Sequence, residues 1–323
     1  MGYQYLFDLN DEANWIYPSR LMNPNGTIGE DARTISFGEG EHKLYACGSS
    51  VMYKNTDGNL HFHEHHVGYE TFFVDGGGLD IICNGKRAYV APGGIVFVRP
   101  YEAHGMFVRE DTKYRGFQHD IDGPPGNAER DLLETKIPGA LELPEFPREL
   151  LFPKDFYERE EAPVYETVPP EECPTIRHIS RPIASFALDG ATAKMITARW
   201  ENGGINEMWA AELEKGFYAK SVPFPAVAEM YYVTAGEIEF TVYDETFTAH
   251  SECVVKIPKF APHSIVAKTD AVIYDVVGLT RWYAYFQDRA SILQHAPERA
   301  AKPETWDALR RKYGCQVAET GRK

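Results

Sequence analysis

Ten residues in the first third of the chain concentrate side chains that could bind a metal ion. The segment HFHEHHVGYE, residues 61–70, holds four histidines and two glutamates. On an extended strand His61, His63 and His65 point to one side, because successive side chains alternate. By the same rule His66 points away, and we expect it to have no chemical role. Imidazoles that converge on one side are ligands for a divalent transition metal.

A carboxylate at the end of this segment could join the histidines. Glu70 follows Gly68, where the chain can bend back towards the side of the three alternating imidazoles. Two interpretations stay open at this point. Alternating histidines also lie on solvated strand faces, and for an isolated His-x-His pair this is the commoner case. Further ligands at suitable positions are needed to favour a metal site.

The composition of the chain limits the class of protein that could carry such a site. Its 323 residues suffice for two domains with cores of their own. The net charge of −15 argues against a nucleic-acid or anionic-membrane partner. The sequence shows no apolar run of membrane-spanning length and no signal-peptide pattern, so we predict a cytoplasmic protein with reduced cysteines.

Two regions of the chain predict β-structure with the same internal spacing. Residues 60–120 and 220–280 are short apolar segments separated by glycine and proline, which is typical of an antiparallel sandwich or barrel. Glu70 and His104 are 34 residues apart, as are Glu229 and His263. An internal match of this kind indicates a duplicated domain.

The second region lacks the histidine strand. At the offset that aligns the two halves, His63 falls on Val222 and His65 on Phe224. Neither side chain can bind a metal. We therefore predict that the second half carries no metal and acts as a scaffold.

Two segments of the first half resemble the two motifs of the cupin superfamily. HEHHVGYETFFVDGG is similar to the first motif and GIVFVRPYEAH to the second. The resemblance extends over both halves, so the chain resembles a bicupin whose metal motif is complete only in the first barrel. It implies an all-β fold of two cupin-type double-stranded β-helix (jelly-roll) barrels with a C-terminal helix. The predicted divisions are residues 1–120 for the first barrel, 121–175 for a Pro-rich connection, 176–285 for the degenerate barrel and 286–323 for a helical tail.

The same resemblance implies the metal ligands. They are His63, His65, Glu70 and His104, which would hold one divalent ion. Fe²⁺ is favoured, and Mn²⁺, Ni²⁺, Zn²⁺ and Cu²⁺ also suit the ligand set. Four protein ligands on an octahedral ion leave two positions for a chelating substrate, or for a substrate and O₂.

Further residues near these motifs are candidates for catalysis or substrate contact. His61 and Glu102 are the candidate proton carriers, and His61 could also be a substitute ligand or a hydrogen-bond partner of one. His119 is equally well explained as an ordinary strand residue. The candidates for substrate contact are Phe72, Phe73, Tyr101, Arg115 and Gln118. At the other end of the chain, Pro303 and Gly314 predict the limits of a helix.

The resemblance determines the fold better than the activity, because one barrel supports many chemistries. The leading hypothesis is an Fe-type dioxygenase acting on a small oxygenated aromatic or enediol substrate. The alternatives are a non-redox isomerase, lyase, decarboxylase or hydrolase, and a non-catalytic small-molecule-binding bicupin. Exposed sheet edges favour a homodimer.

Overall fold

The computed structural model describes most of the chain. The described residues are 5–11, 13, 17–23, 25–36, 44–54, 62–66, 69–119, 138–139, 142–144, 156–204, 206–221, 229–258, 260–276, 278, 281–313 and 317–322. They divide between two compact units, residues 12–178 and residues 1–11 with 179–323. None of the helices in this part of the chain is long and apolar enough to cross a bilayer.

Strands are the main secondary structure of both units. Strand β1 (Leu6–Asp8) comes first in the chain and belongs to the second unit. The strands of the first unit are β2 (Tyr17–Met22), β3 (Ile28–Ser36), β4 (Leu44–Met52), β5 (His63–His65), β6 (Tyr69–Gly76), β7 (Leu79–Cys83), β8 (Lys86–Val90), β9 (Ile95–Val98), β10 (His104–Val108), β11 (Thr112–His119), β12 (Phe156–Glu158), β13 (Glu166–Thr167) and β14 (Ile176–Arg177).

The second unit adds three helices after its strands. Its strands are β15 (Ala184–Leu188), β16 (Ala191–Met195), β17 (Trp209–Leu213), β18 (Phe217–Ser221), β19 (Glu229–Ala235), β20 (Glu237–Val242), β21 (Glu245–His250), β22 (Cys253–Ile257), β23 (His263–Ala267), β24 (Ala271–Asp275) and β25 (Val317–Arg322). Its helices are α1 (Trp282–His295), α2 (Pro297–Ala300) and α3 (Pro303–Tyr313). Two short 3₁₀ helices span Pro170–Glu172 and Arg199–Glu201.

The first unit consists of two sheets. One has the order β12-β5-β10-β7-β8-β13, and the other β14-β9-β6-β11-β4-β3-β2. Alternate residues of the strands point inward, as Phe72 and Val74 do on β6 and Val96 and Val98 do on β9, and they form one apolar core. Burial of each such side chain contributes roughly 1.5–3 kcal/mol. This core keeps the two sheets together and so fixes the strands that carry the histidines.

The second unit repeats this arrangement. Its sheets have the orders β1-β22-β19-β24-β17-β16-β15 and β21-β20-β23-β18-β25. Gly77 and Gly236, one in each half, have positive φ angles of 70° and 76°. A Cβ on either would lie 2.4 Å or 2.2 Å from the carbonyl oxygen of Asp111 or Asp270, so only glycine fits the turn. The predicted all-β fold of two similar barrels with a C-terminal helical region is confirmed.

Details at the ends of the units differ from the sequence-based expectation. Leu6 of β1 pairs with Val255 of β22, so residues 1–11 group with the second barrel and not with the predicted 1–120 domain. Strand β12 pairs with β5, so part of the predicted 121–175 connection is a strand of the first barrel. Both strands are three residues long, too short to show a periodic pattern. The helical region begins at Trp282, before the predicted boundary at 286.

Candidate metal centre

Three strands of the first barrel bring the predicted ligands together. His63 and His65 lie on β5, Glu70 on β6 and His104 on β10. His104 pairs directly with His63 across β10 and β5. One possible ligand atom from each of the four residues lies within 4.8 Å of the others, and all four side chains are buried. Among the described residues this is the one such group of three or more.

The distances between the ligand atoms suit a single ion. The Nε2 atoms of His63 and His65 are 3.1 Å apart. Glu70 places Oε1 3.2 Å from Nε2 of His65 and Oε2 3.3 Å from Nε2 of His104. Adjacent ligands on an octahedral ion, each about 2.1 Å from it, lie about 3.0 Å apart. The four side chains therefore already stand close to the spacing that coordination requires.

A backbone hydrogen bond selects the tautomer of His104. Its Nδ1–H donates to the carbonyl oxygen of Glu102 at 2.9 Å. A proton is thereby held on Nδ1, and Nε2 faces the cluster, where it would be the nitrogen available to a metal ion. Metal-binding histidines are commonly oriented in this way by a hydrogen bond from the other ring nitrogen.

The carboxylate of Glu70 is charged in this setting. Burial raises its pKa, but the charges and hydrogen bonds of His65 and His104 outweigh that effect and hold the pKa well below its usual range. A deprotonated carboxylate and neutral imidazoles are the forms that bind a cation. The donor set of three imidazoles and one carboxylate fits one divalent transition metal.

Glu102 has several protein partners of its own. Its carboxylate accepts hydrogen bonds from the backbone N–H of Arg99 at 2.9 Å, from the guanidinium of Arg99, and from Nδ2 of Asn84 at 2.8 Å. Its carbonyl oxygen accepts the proton of His104 described above. The side chain is buried and is not part of the ligand cluster. These contacts fit a residue that positions the loop before β10, and its predicted proton transfer stays a prediction.

His66 points away from the cluster, as its position in the strand predicts. It shares a 2.7 Å hydrogen bond with Glu64. Its ring stacks between Tyr101 and Tyr157, with centroid distances of 4.5 and 3.9 Å. Tyr101 itself is exposed, with a positive φ of 63°, and its N–H donates to the carbonyl oxygen of His65 at 2.6 Å. These rings therefore brace the end of β5 from outside the ligand cluster.

Strand alternation separates the remaining candidates for substrate contact. Phe72 shares the inner face of β6 with Glu70 and belongs to the core. Phe73 points to the opposite face, and Arg115 pairs with it across β6 and β11. Arg115 is completely buried, with Nε 3.3 Å from Oδ2 of Asp75. Phe73 and Arg115 thus lie on the other face of the sheet from the ligand Glu70, against the expectation that they contact substrate.

Three candidates fall outside the described part of the molecule. His61 is among the residues whose placement the structure does not describe, and so are the side chains of Gln118 and His119. The role of His61 as a proton carrier or substitute ligand stays a prediction.

The second barrel contains the matching Glu–His pair without further ligands in the described residues. Nε2 of His263 lies 3.1 Å from Oε2 of Glu229, and Nδ1–H of His263 donates to the carbonyl oxygen of Ala261 at 3.2 Å. Burial lowers the pKa of His263, but the hydrogen bond and charge of Glu229 outweigh it and raise the pKa. The pair is an ion pair when His263 is protonated. Positions 222 and 224 are not described.

The chain folds as two β-barrels of two sheets each, and the first barrel holds a buried cluster of three histidines and one glutamate. No protein-family profile and no curated protein matches the sequence. Solved structures do match. A variant of the oxalate decarboxylase of Bacillus subtilis has a TM-score of 0.51 at 14% identity, covering 99% of this chain and 89% of its own. A second structure of the same enzyme, from work on its Mn(II) centres, has the same TM-score, the same identity and the same two coverages. Another variant covers 84% of this chain and 76% of its own, at 13% identity and a TM-score of 0.51. At such low identity the likeness establishes the two-barrel fold.

Proposed function

We propose that this protein is a metal-dependent enzyme that binds a small oxygenated substrate at the centre formed by His63, His65, Glu70 and His104. The observation that carries the proposal is the convergence of four buried ligand atoms, with the tautomer of His104 fixed and Glu70 ionised. Four protein ligands leave two of the six positions of an octahedral ion for other groups. A substrate with two neighbouring oxygens would chelate there.

The surroundings of the cluster suit a substrate with an apolar body. Phe72 follows Glu70 on the inner face of β6, and Val98 pairs with Glu70 from β9. A bound divalent ion would polarise the substrate oxygens and, if redox-active, could bring the substrate together with O₂. We therefore propose, as the first reaction class, a dioxygenase with Fe²⁺ acting on a small oxygenated aromatic or enediol compound.

The protein would supply positioning and proton transfer. The carbonyl oxygen of Glu102 holds the ring of His104, and the β5 backbone places His63 and His65 side by side. His61 precedes His63 by two residues, so on a continuing strand it would share that face about 6–7 Å further along. At that distance His61 would touch a substrate more readily than the ion and could accept its proton.

A second reaction class is supported by the structural neighbours. The match to an oxalate decarboxylase with Mn(II) centres extends over nearly the whole chain. A lyase that removes carboxylate from a small acid would use the same two coordination positions, with Mn²⁺ as the ion. The positive charge of the ion would stabilise the negative charge that develops on the substrate as the carbon–carbon bond breaks.

Oxygen consumption separates the two reaction classes. The purified protein is first analysed for its metals, then assayed with small phenols, keto acids and dicarboxylates while O₂ uptake and CO₂ release are both recorded. Uptake of O₂ in step with product supports the dioxygenase. Release of CO₂ without net O₂ consumption supports the lyase. If the protein carries one equivalent of metal and binds these compounds without converting them, the result supports the third class, a non-catalytic binding protein.

A matched pair of variants tests whether the centre is responsible. His104→Ala removes a ligand, whereas His263→Ala makes the same change at the equivalent position of the other barrel. Activity that disappears in the first variant and persists in the second supports the proposal. Equal activity in both variants would contradict it.

A further inference from the structure

A cavity of about 500 Å³ lies within the second unit, where no metal cluster is found among the described residues. Its walls come from the barrel strands and from helices α1 and α3. On the barrel side, four alanines leave room where larger side chains would fill the interior: Ala191, Ala193, Ala211 and Ala219. A volume of this size is within the range of small-molecule sites, roughly 300–1,000 Å³. Space of this extent is unusual in a barrel that serves only as a scaffold.

Aromatic rings form much of the remaining wall. Trp209 lies on β17, Trp282 and Phe286 on α1, and Trp306 on α3. The ring centroid of Phe286 is 5.4 Å from that of Trp209 and 5.8 Å from that of Trp282. Trp306 is held by a 2.8 Å hydrogen bond from Nε1 to the carbonyl oxygen of Ala300. A fixed set of large rings favours a flat, aromatic occupant.

The charges that line the cavity favour a single negative charge on that occupant. Arg289 of α1 is half-buried, and its guanidinium makes no hydrogen bond or ion pair with any residue in the described ranges. The other guanidinium, that of Arg310, is paired with Asp307. The one carboxylate of the lining, on Asp275, accepts the N–H of Gly278 at 2.9 Å and would repel a second negative charge on a ligand.

A partly buried arginine beside apolar rings loses hydration at a cost unless its guanidinium is paired. A carboxylate on the ligand would relieve that cost through two parallel hydrogen bonds, the geometry that arginine provides and an amide cannot reproduce. We infer that the cavity of the second barrel binds an aromatic monocarboxylate, with the rings of Trp209, Trp282 and Trp306 around its body and Arg289 on its carboxylate. The inference is independent of the metal centre and of the reaction proposed there.

Tryptophan fluorescence reports occupancy directly, because three of the five tryptophans of the chain line the cavity. Wild-type protein is titrated with 2-naphthoate and, in parallel, with the neutral 2-naphthamide, and calorimetry provides the stoichiometry. We expect saturable quenching by 2-naphthoate at one site and at least about tenfold weaker binding of the amide, the loss of one charge-assisted interaction. Equal affinity for both compounds, or no saturable binding of 2-naphthoate, would overturn the inference.

Variants locate the site. Arg289→Gln should weaken 2-naphthoate at least about tenfold and remove the preference over the amide. Arg311→Gln, at an exposed position that follows Arg310 and is not part of the lining, should leave both affinities unchanged. Ala211→Leu should reduce binding of both compounds by filling the cavity. The His104→Ala variant should bind 2-naphthoate as the wild type does, and loss of binding there would place the carboxylate at the metal centre instead.

Discussion

Glu102 offers the sharpest test of how the candidate centre operates, because the sequence suggests a proton carrier and the structure shows a buried carboxylate held by several hydrogen bonds, as in a positioning residue. The substitution Glu102→Gln keeps the size of the side chain and removes its charge. It also leaves the backbone carbonyl that receives the proton of His104 in place. A positioning role and a proton-transfer role therefore predict different results.

The expected cost in stability follows from the hydrogen bonds of the carboxylate. Gln can keep an oxygen towards Asn84 and the guanidinium of Arg99, but its amide group would then face the backbone N–H of Arg99, which loses its acceptor. An unsatisfied buried N–H costs about 1–3 kcal/mol. The ion pair with Arg99 adds little, because that side chain is 36% exposed. We expect a loss of about 2 kcal/mol, or roughly 4–8 °C in Tm.

The assay combines thermal unfolding, metal analysis and turnover on a substrate identified as described above. We expect Glu102→Gln to keep about one equivalent of metal and to lower turnover less than about tenfold. Glu110→Gln is the matched control, because Glu110 is exposed and its side chain makes no hydrogen bond or ion pair with the described residues. Removal of a general acid or base costs about 10²–10⁴ in rate. A loss of that size in metal-loaded Glu102→Gln, with unchanged stability, would refute the positioning role.

Three further predictions concern the histidines. His63→Ala or His104→Ala should remove most of the bound metal while circular dichroism shows a folded barrel, because the core and not the ion holds the sheets together; a full equivalent of metal would disprove the ligand assignment. His263→Gln should leave metal content unchanged, whereas loss of half the metal would mean a second site. Glu229 raises the pKa of His263, so the ion pair stabilises the folded state fully below about pH 6.5. This contribution disappears as the pH rises through the raised pKa. The unfolding curves of wild type and His263→Gln should therefore converge at alkaline pH. His61→Gln should keep the metal and lower turnover at least roughly tenfold; wild-type turnover would leave His61 as a rim residue, and metal loss would make it a ligand.

Sequence reasoning located the ligand cluster because its geometry is mostly local. Two histidines separated by one residue share a strand face in any β-structure, and a glycine-rich bend allows a glutamate to return to that face. His104 is distant in the chain, but the match with His263 at the same separation from a glutamate indicated that both occupy equivalent positions. The internal repeat thus indicated that His104 lies near Glu70, which the sequence around a single site could not show.

Other features could not be predicted, because they depend on pairing between distant segments. Nothing in residues 6–8 indicates that this short strand pairs with β22. The cavity of the second unit is formed by alanines on several strands and by rings on two helices, and each of these residues is by itself ordinary core or surface. Strand alternation could have separated Phe73 and Arg115 from Glu70, had the limits of β6 and β11 been known.

The two barrels show how one Glu–His arrangement can be stabilised in two ways. In both, the histidine donates Nδ1–H to the carbonyl oxygen two residues earlier, on Glu102 or Ala261, and turns Nε2 towards the glutamate. In the first barrel two more imidazoles, His63 and His65, meet at that point, and the four side chains together offer a donor set that one cation could share. In the second barrel a single proton on His263 is enough to neutralise Glu229. We therefore propose that the additional histidines on β5 convert a position that a proton can satisfy into a site for a metal ion.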